Sequence, residues 1–295
     1  MKVIAVILTT GCFETVSRCV ESLLAARPAP RVLVVDNGST DGVGDAIAAA
    51  FPEVEVLKTG RNTGCAGGRN VGFSAALARG ADAVLSLDDD CYVEEGFLAP
   101  LLSALEGAGV GAACPLMLYP GGERAWACGS TVSLWKGRTA GRFYGAPAAD
   151  VPPETAEVDF ASGGGVLVGR EALAAVPGFD EDYFIYFEDP DWGIRLKRAG
   201  FKTVAVPASR VVHACGMSGK RSAVFYYYRA RNRLLFMRRN ARLVHWLVFI
   251  PVFLKELCWN TLLPLALERR WDCVRATFGG VGDFLRGRLG EWEAG

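Results

Sequence analysis

Residues 31–42 read Arg-Val-Leu-Val-Val-Asp-Asn-Gly-Ser-Thr-Asp-Gly. A valine-rich run stops at a carboxylate, and a polar glycine turn then opens a helical pattern over Thr40–Phe51. Valine packs well on a pleated surface, whereas Asn, Gly, Ser and Asp favour turns and helix starts. The same alternation continues on both sides. Val3–Leu8 is apolar without a break and predicts a strand buried on both faces. It is too short for the apolar core and cleavage site of a signal peptide. Glu14–Ala26 puts Val16, Val20, Leu23 and Leu24 on one helical face. Val54–Lys58 predicts a strand, Gly68–Arg79 a helix, Ala83–Leu87 a strand and Phe97–Gly107 a helix. Strands that alternate with helices in this way pair in parallel through right-handed crossovers. The expected fold is α/β, a Rossmann-like, mostly parallel open sheet flanked by helices. Such sheets bind ligands at the carboxyl ends of their strands, where Asp36 and the run Asp88-Asp89-Asp90 fall.

Residues 110–165 are less regular, and Pro147, Pro152 and Pro153 mark surface loops. Val166–Val168 predicts a strand, Asp189–Arg198 a helix closed by Ala199-Gly200, and Lys202–Val206 another strand. With 51% apolar and 22% charged residues in 295, disorder is excluded. The 32 basic and 32 acidic side chains cancel, which argues against a nucleic-acid partner. The cancellation hides an asymmetry. Residues 1–219 carry 18 Lys+Arg and 26 Asp+Glu, a balance of −8; residues 220–295 carry 14 and 6, a balance of +8. Nine cysteines without a CxxC pair read as free thiols in a reducing compartment rather than a zinc ribbon.

The basic tail looks helical from Ala223 onward. Leu243–Leu254 and Leu257–Leu267 carry no formal charge, and Lys255-Glu256 separates them. Each half is too short to cross a bilayer, and Pro251 and Pro264 are expected to kink or break the helices. Arg238, Arg239, Arg242, Arg269, Arg270 and Arg275 flank the run. Two readings stay open, a helical hairpin packed on the body and an in-plane element on an anionic membrane surface. The +8 balance favours the second.

Five polar constellations carry chemistry. Asp36-Asn37-Gly38-Ser39 at a strand end offers a carboxylate to a base or ribose, or simply an Asx turn. Asn62-Thr63-Gly64-Cys65-Ala66-Gly67-Gly68-Arg69-Asn70 is a glycine-rich helix start suited to an anion. Three adjacent carboxylates at 88–90 repel one another, and a hard divalent cation would relieve them. Phe187-Glu188-Asp189-Pro190-Asp191-Trp192 sets acids beside apolar surface, a setting for a general base, with Gly163-Gly164-Gly165 upstream for close backbone approach. His213 follows Val211-Val212, and Ser218, Lys220 and Arg221 make a basic loop after it.

Taken in this order, these residues resemble glycosyltransferase family 2, over about residues 1–235. The resemblance implies a GT-A fold, a nucleotide-diphosphate sugar donor, a divalent cation (Mn2+ or Mg2+) and inversion at the anomeric carbon. It implies a catalytic domain over 1–222, with a nucleotide-sugar half at 1–107 and an acceptor half at 108–222, and a helical, basic extension over 223–295. Thr9, Asp36, Asn37, Ser39, Asn62, Gly67, Arg69, Asn70, Asp88 and Asp89 are then expected at the donor, and Asp88, Asp90 and His213 at the metal. Asp189 matches the family's base, with Glu188 and Asp191 beside it, and Gly163, Gly164 and Trp192 are expected at the acceptor. Tyr226-Tyr227-Tyr228-Arg229-Ala230-Arg231-Asn232 resembles a stretch of rhamnosyl- and galactofuranosyltransferase-like members. The QxxRW motif of processive synthases is absent, and Arg195 does not supply it. The acceptor implied is a glycan or polyprenyl-linked sugar, at the inner face of the cell membrane, with dTDP-rhamnose or a UDP-sugar as donor. The oligomeric state stays open, a dimer included.

Two other functions compete. A sugar nucleotidyltransferase would need a basic glycine-rich loop after the first strand, but Thr9-Thr10-Gly11-Cys12-Phe13-Glu14 has no basic residue. A non-catalytic sugar-nucleotide scaffold would have no use for the acids at 88, 90 and 189.

Overall fold

The computed structural model describes residues 1–214 and 221–292. Cys215 and the loop positions Ser218 and Lys220 lie outside the described residues. The elements run β1 (Val3–Thr9), α1 (Phe13–Ala25), β2 (Arg31–Asp36), α2 (Val43–Ala50), β3 (Glu55–Lys58), α3 (Gly64–Ala78), β4 (Ala83–Asp88), β5 (Cys91–Val93) and α4 (Leu98–Leu105). Then come β6 (Val110–Leu118), β7 (Ala125–Ala127), β8 (Ser130–Ser133), β9 (Arg138–Gly141), β10 (Ala156–Val158), β11 (Gly165–Gly169), α5 (Arg170–Ala175), α6 (Glu188–Arg198) and β12 (Lys202–His213). The tail holds α7 (Ala223–Asn240), α8 (Leu243–Lys255), a π-helical stretch (Glu256–Leu262), α9 (Leu263–Leu267) and α10 (Trp271–Arg286).

One mixed sheet runs β10-β12-β6-β11-β4-β1-β2-β3, with β5 on β12 and β7 on β6. The first four strands are parallel, in the order β3-β2-β1-β4, and β11 runs antiparallel between β4 and β6. Alternate strand residues feed opposite faces. Ile4, Val6 and Leu8 pack with α3, α5 and α6; Val3, Ala5 and Ile7 pack with α1, α2 and α4. Each fully buried side chain of this kind contributes roughly 1.5–3 kcal/mol. α3 reaches β1 closely because a Cβ at Gly68 or Gly72 would overlap Leu8 or Val6.

The chain reverses its winding between β1 and β4, so the crevice opens over Thr9 and Asp88. Leu8 stands opposite Asp88, and Thr9 opposite Asp36. Several strands differ from expectation: β5 and β7 to β10 are short additions, and two longer differences shape the site. β6 is absent from the sequence reading because Gly, Ala and Pro dilute its β signal. Its Pro115 pairs with Val206, where the β6–β12 ladder shifts register, so the missing N–H falls at an irregularity. β12 does not stop at Val206. It resumes at Arg210 and pairs Val211–His213 with Val93–Cys91, which carries His213 to the site.

The tail corrects a further expectation. Pro251 and Pro264 do not break it; Leu243–Leu267 forms one 25-residue helix. The π-helical stretch shifts the hydrogen-bond register just before Pro264 and absorbs the donor that proline lacks. Glu256 does not interrupt the helix either, because Arg138 of the body and Arg233 of α7 pair with it.

Candidate active site

The site is assembled from strand ends. Asp88 closes β4, Asp90 precedes β5, and His213 closes β12. His213 Nε2 lies 3.1 Å from Asp90 Oδ1 and 3.7 Å from Asp88 Oδ2. The Trp126 ring stands edge-on to the imidazole, with centroids 4.9 Å apart. Cys91 is near enough to join Asp90 and His213, but it is fully buried and its thiol donates to the Gly164 carbonyl at 3.5 Å. Asp90 and His213 remain of that group; Asp88 turns Oδ2 toward the imidazole while Arg69 takes its Oδ1, and the three together would suit a cation such as Mn2+ or Mg2+. Thr9 donates to Asp89 Oδ2 at 2.6 Å and turns this middle carboxylate toward β1. Burial, then the repulsion of Asp88 and Asp90, pushes Asp89 up to about 6 against the Thr9 hydrogen bond.

Arg69 of α3 is the buried cation at the centre. It pairs with Asp88 Oδ1, and its Nε donates to the Gly163 carbonyl at 3.2 Å. Burial works against its charge, but Asp88, Asp189 and Glu188 hold it firmly protonated. Gly163 returns the link, its N–H donating to Asp189 Oδ1 at 2.9 Å. A Cβ at Gly164 would overlap Asp88 Oδ2. The triple glycine was expected beside the acceptor. It lies between the end of β4 and the start of α6, where Gly163 N–H donates to the Asp189 carboxylate and Gly164 leaves room for that of Asp88.

Glu188 and Asp189 start α6. Burial raises both acids above the ordinary carboxylate range. Each also repels the other or Asp88, while Arg69 opposes the rise. Glu188 Oε2 is buried with no hydrogen-bond partner among the described residues. Asp189 keeps partial solvent access and lines a cavity of about 280 Å³ with Phe160, Tyr186 and Phe187.

Other predicted residues take structural roles. Asp191 accepts from Tyr183, Arg195 and Asn240, at 3.1, 2.8 and 2.7 Å, and faces the tail rather than the cleft. Trp192 is 2% exposed, donates to Val176 O and packs on Phe73 and Phe179, so it belongs to the core and not to an acceptor surface. Asn70 exchanges hydrogen bonds with the Phe179 backbone and ties α3 to the loop before α6. Asn37 and Asn62 link the β2 turn to the α3 start, Asn37 accepting from Thr63 and donating to Gly64 O. Asp36 Oδ1 receives both the backbone N–H and the hydroxyl of Ser39. Gly67 leaves room for Thr63 at the α3 start.

The sequence reading gave Arg231 and Asn232 no role. The loop before Glu188 holds Phe184, Tyr186 and Phe187 at φ 63°, 67° and 74°, a left-handed region that costs a bulky residue about 1–3 kcal/mol. Asn232 Nδ2 reaches the carbonyls of Tyr183, Ile185 and Tyr186 at 2.8–2.9 Å. Arg231 holds those of Asp182 and Tyr183. Both side chains are fully buried on α7. The signal in the sequence was the Tyr-rich Arg-Asn stretch over 226–232, which marked the family without giving either residue a task.

Comparison with known proteins agrees with this geometry. The profile described as Glycosyl transferase family 2 matches residues 4–151. An N-acetylglucosaminyl-diphospho-decaprenol L-rhamnosyltransferase of Mycobacterium tuberculosis is 34% identical over 211 residues, 65% of this chain and 68% of that protein. The dTDP-rhamnosyl transferase RfbF of Shigella flexneri is 25% identical over 281 residues, 88% of this chain and 87% of that protein. Among solved structures, the mannosyltransferase PcManGT of Pyrobaculum calidifontis, in complex with GDP-Man and Mn2+, superposes with a TM-score of 0.59 at 17% identity. The match covers 97% of this chain and 88% of that one. The sheet with its ligand crevice at β1 and β4, the acids at β4 and α6, and a match over half the chain lead to one assignment: this enzyme belongs to glycosyl transferase family 2.

Proposed function

We propose that the enzyme moves one sugar from a nucleotide-diphosphate sugar to a hydroxyl of a lipid-linked, diphosphate-bearing glycan, with inversion. Rhamnose is the favoured donor sugar, since two relatives carry that name. The observation that carries the reading is Asp189. Its carboxylate is oriented by Gly163 N–H, raised in basicity by burial, open to a cavity, and linked to Asp88 through Gly163 and Arg69.

Transfer builds positive charge on the sugar carbon and negative charge on the leaving diphosphate. Asp88, Asp90 and His213 would hold the divalent cation, which supplies charge stabilisation for that leaving group. Arg69 pairs with the Asp88 carboxylate and fixes its direction. Asp189 takes the proton from the acceptor hydroxyl as its oxygen attacks, and the Gly163 N–H fixes the carboxylate plane for that transfer. Acid and metal duties fall on different carboxylates, so no covalent sugar intermediate is required. The test is transfer from candidate nucleotide sugars to a lipid-diphosphate sugar with Mn2+ or Mg2+. Release of nucleotide without acceptor glycosylation under all of these conditions would sink the reading.

We further place the enzyme at the cytoplasmic membrane face, lying in the plane. Leu243, Leu247, Ile250 and Leu254 are exposed at successive turns of α8, and Trp259, Leu263 and Leu267 extend the stripe. The opposite face docks on the body through Phe249 and Phe253, both packed beside Arg233, and through Glu256. The joined helix, unlike either half, is long and apolar enough to cross a bilayer, and only 11% of its most apolar stretch is buried; its anchorage through Phe249, Phe253 and Glu256 is what favours lying in the plane.

A further inference from the structure

A groove runs away from Asp189 that neither the donor nor the metal occupies in this reading. Its inner part is the cavity of about 280 Å³ that holds Glu188 and Asp189, and its outer part is a cavity of about 450 Å³. Arg138, Phe225, Arg229 and Arg233 line both parts, so the two adjoin. The outer end is closed by Leu257, Asn260 and Thr261 of the π-helical stretch, whose neighbour Trp259 belongs to the exposed apolar stripe.

The outer part gathers four arginines, Arg138, Arg221, Arg229 and Arg233, around one carboxylate, Glu256. Glu256 is taken by Arg138 and Arg233. Arg233 is otherwise occupied, since it donates to the Gly137 and Lys136 carbonyls at 2.8 and 2.6 Å and so fixes the β8–β9 turn. Arg229 and Arg221 are different. Each lies over the Phe225 ring, at 5.6 and 4.1 Å from its centroid, and neither pairs with a carboxylate among the described residues. Burial and the repulsion of Arg221 and Arg138 lower the Arg229 pKa, and burial with Arg229 and Arg138 lowers that of Arg233 to about 10. Cations crowded past their own counter-charge favour a multiply charged anion. Guanidinium groups bind phosphate oxygens in a fork.

We infer that this groove is the seat of the acceptor's diphosphate, held chiefly by Arg229 with Arg221 and Arg138. The acceptor sugar then points inward to Asp189, and the lipid chain leaves over the π-helical stretch onto the apolar stripe of α8 and α9. One groove thus joins the base, the anion and the membrane surface in the order in which a lipid-diphosphate sugar presents them. The inference rests on the proposed acceptor class.

The test uses the full chain with EDTA present, so that no diphosphate binds through a metal. Farnesyl diphosphate and inorganic pyrophosphate are titrated into the wild type, R229Q, R138Q and, as an exposed control on β2, R31Q. Farnesyl diphosphate is expected to bind more tightly than pyrophosphate, and R229Q to weaken it tenfold or more, with R31Q like the wild type. Equal affinity for the two probes overturns the lipid track, and equal affinity in R229Q and wild type overturns the anion site. With metal and a lipid-diphosphate sugar, R229Q should raise the acceptor KM tenfold or more while the donor KM stays within twofold. If the wild type glycosylates that acceptor and R229Q leaves its KM unchanged, the groove assignment fails and the proposed activity stands. If the wild type binds farnesyl diphosphate through Arg229 yet glycosylates no lipid diphosphate, the proposed activity fails and takes the acceptor assignment with it.

Discussion

At the scale of single residues, the site works by holding like charges close together on fixed supports. Asp189 is basic enough to act because it is buried, and it is aimed because Gly163 N–H donates to it at 2.9 Å. Its raised pKa carries a sign. The unprotonated form is the active one, so transfer should rise as pH climbs through a value above the ordinary aspartate range of about 3.9. A pH profile of kcat/KM that levels off near the ordinary value would show an unshifted base. Gly164 supports Asp88 by leaving room for it. Gly164→Ala should push the Asp88 carboxylate aside and weaken Mn2+ activation, raising the half-saturating metal concentration about tenfold or more. Metal titration of activity checks this. That the acids at 88–90 gather at one strand end was legible in the sequence, because three adjacent carboxylates follow an apolar run; His213 joins Asp88 and Asp90 there. The support from Gly163 and Gly164 was not, because backbone donors and missing Cβ atoms leave no chemical signature. Trp192 and Asp191 misled for the opposite reason. Their side chains look functional, yet packing on Phe73 and hydrogen bonding to Asn240 absorb them.

At the scale of elements, the loop ahead of α6 is strained and α7 restrains it. Three bulky residues at positive φ persist because Asn232 and Arg231 hold their neighbours' carbonyls. Asn232→Ala leaves buried carbonyls unpaired, which costs about 1–3 kcal/mol each. The expected result is a Tm lower by several degrees together with a kcat reduced tenfold or more, and a donor KM that changes little. A variant that loses stability but keeps kcat would show that the loop needs no restraint to place Asp189. Helices α1 to α4 and strands β1 to β4 could be read from the sequence because each has a clear period and a turn signal. β6, rich in Gly and Ala and carrying Pro115, had neither. β12 was read short because Pro207-Ala208-Ser209 resembles a stop, whereas the strand bends there and pairs onward to His213.

At the scale of the whole molecule, the −8 body and +8 tail meet in contact. Part of the tail's charge turns inward. Arg231 and Arg233 are buried, and Arg239 pairs with Asp180 and Asp182 of the body. Arg242, Arg269 and Arg275 stay exposed, as do Arg286 and Arg288 beside Asp283, and under the proposed membrane reading these are the cations that would face lipid headgroups. Flotation with vesicles containing anionic lipid should therefore be strong at low salt and partly retained at high salt, because the apolar stripe is not screened. Absence of flotation at low salt would contradict membrane association. Composition revealed the charge split but not its direction, which depends on which face of α7 meets the acidic loop at 180–182. The account's central claim is that Asp189 removes the acceptor proton. Single-turnover transfer to a lipid-diphosphate sugar, compared between the wild type and Asp189→Asn with Mn2+ and matched donor occupancy, tests it most directly. The account predicts a rate at least ~100-fold lower in Asp189→Asn with donor affinity preserved, whereas a rate within a few-fold of the wild type would contradict it.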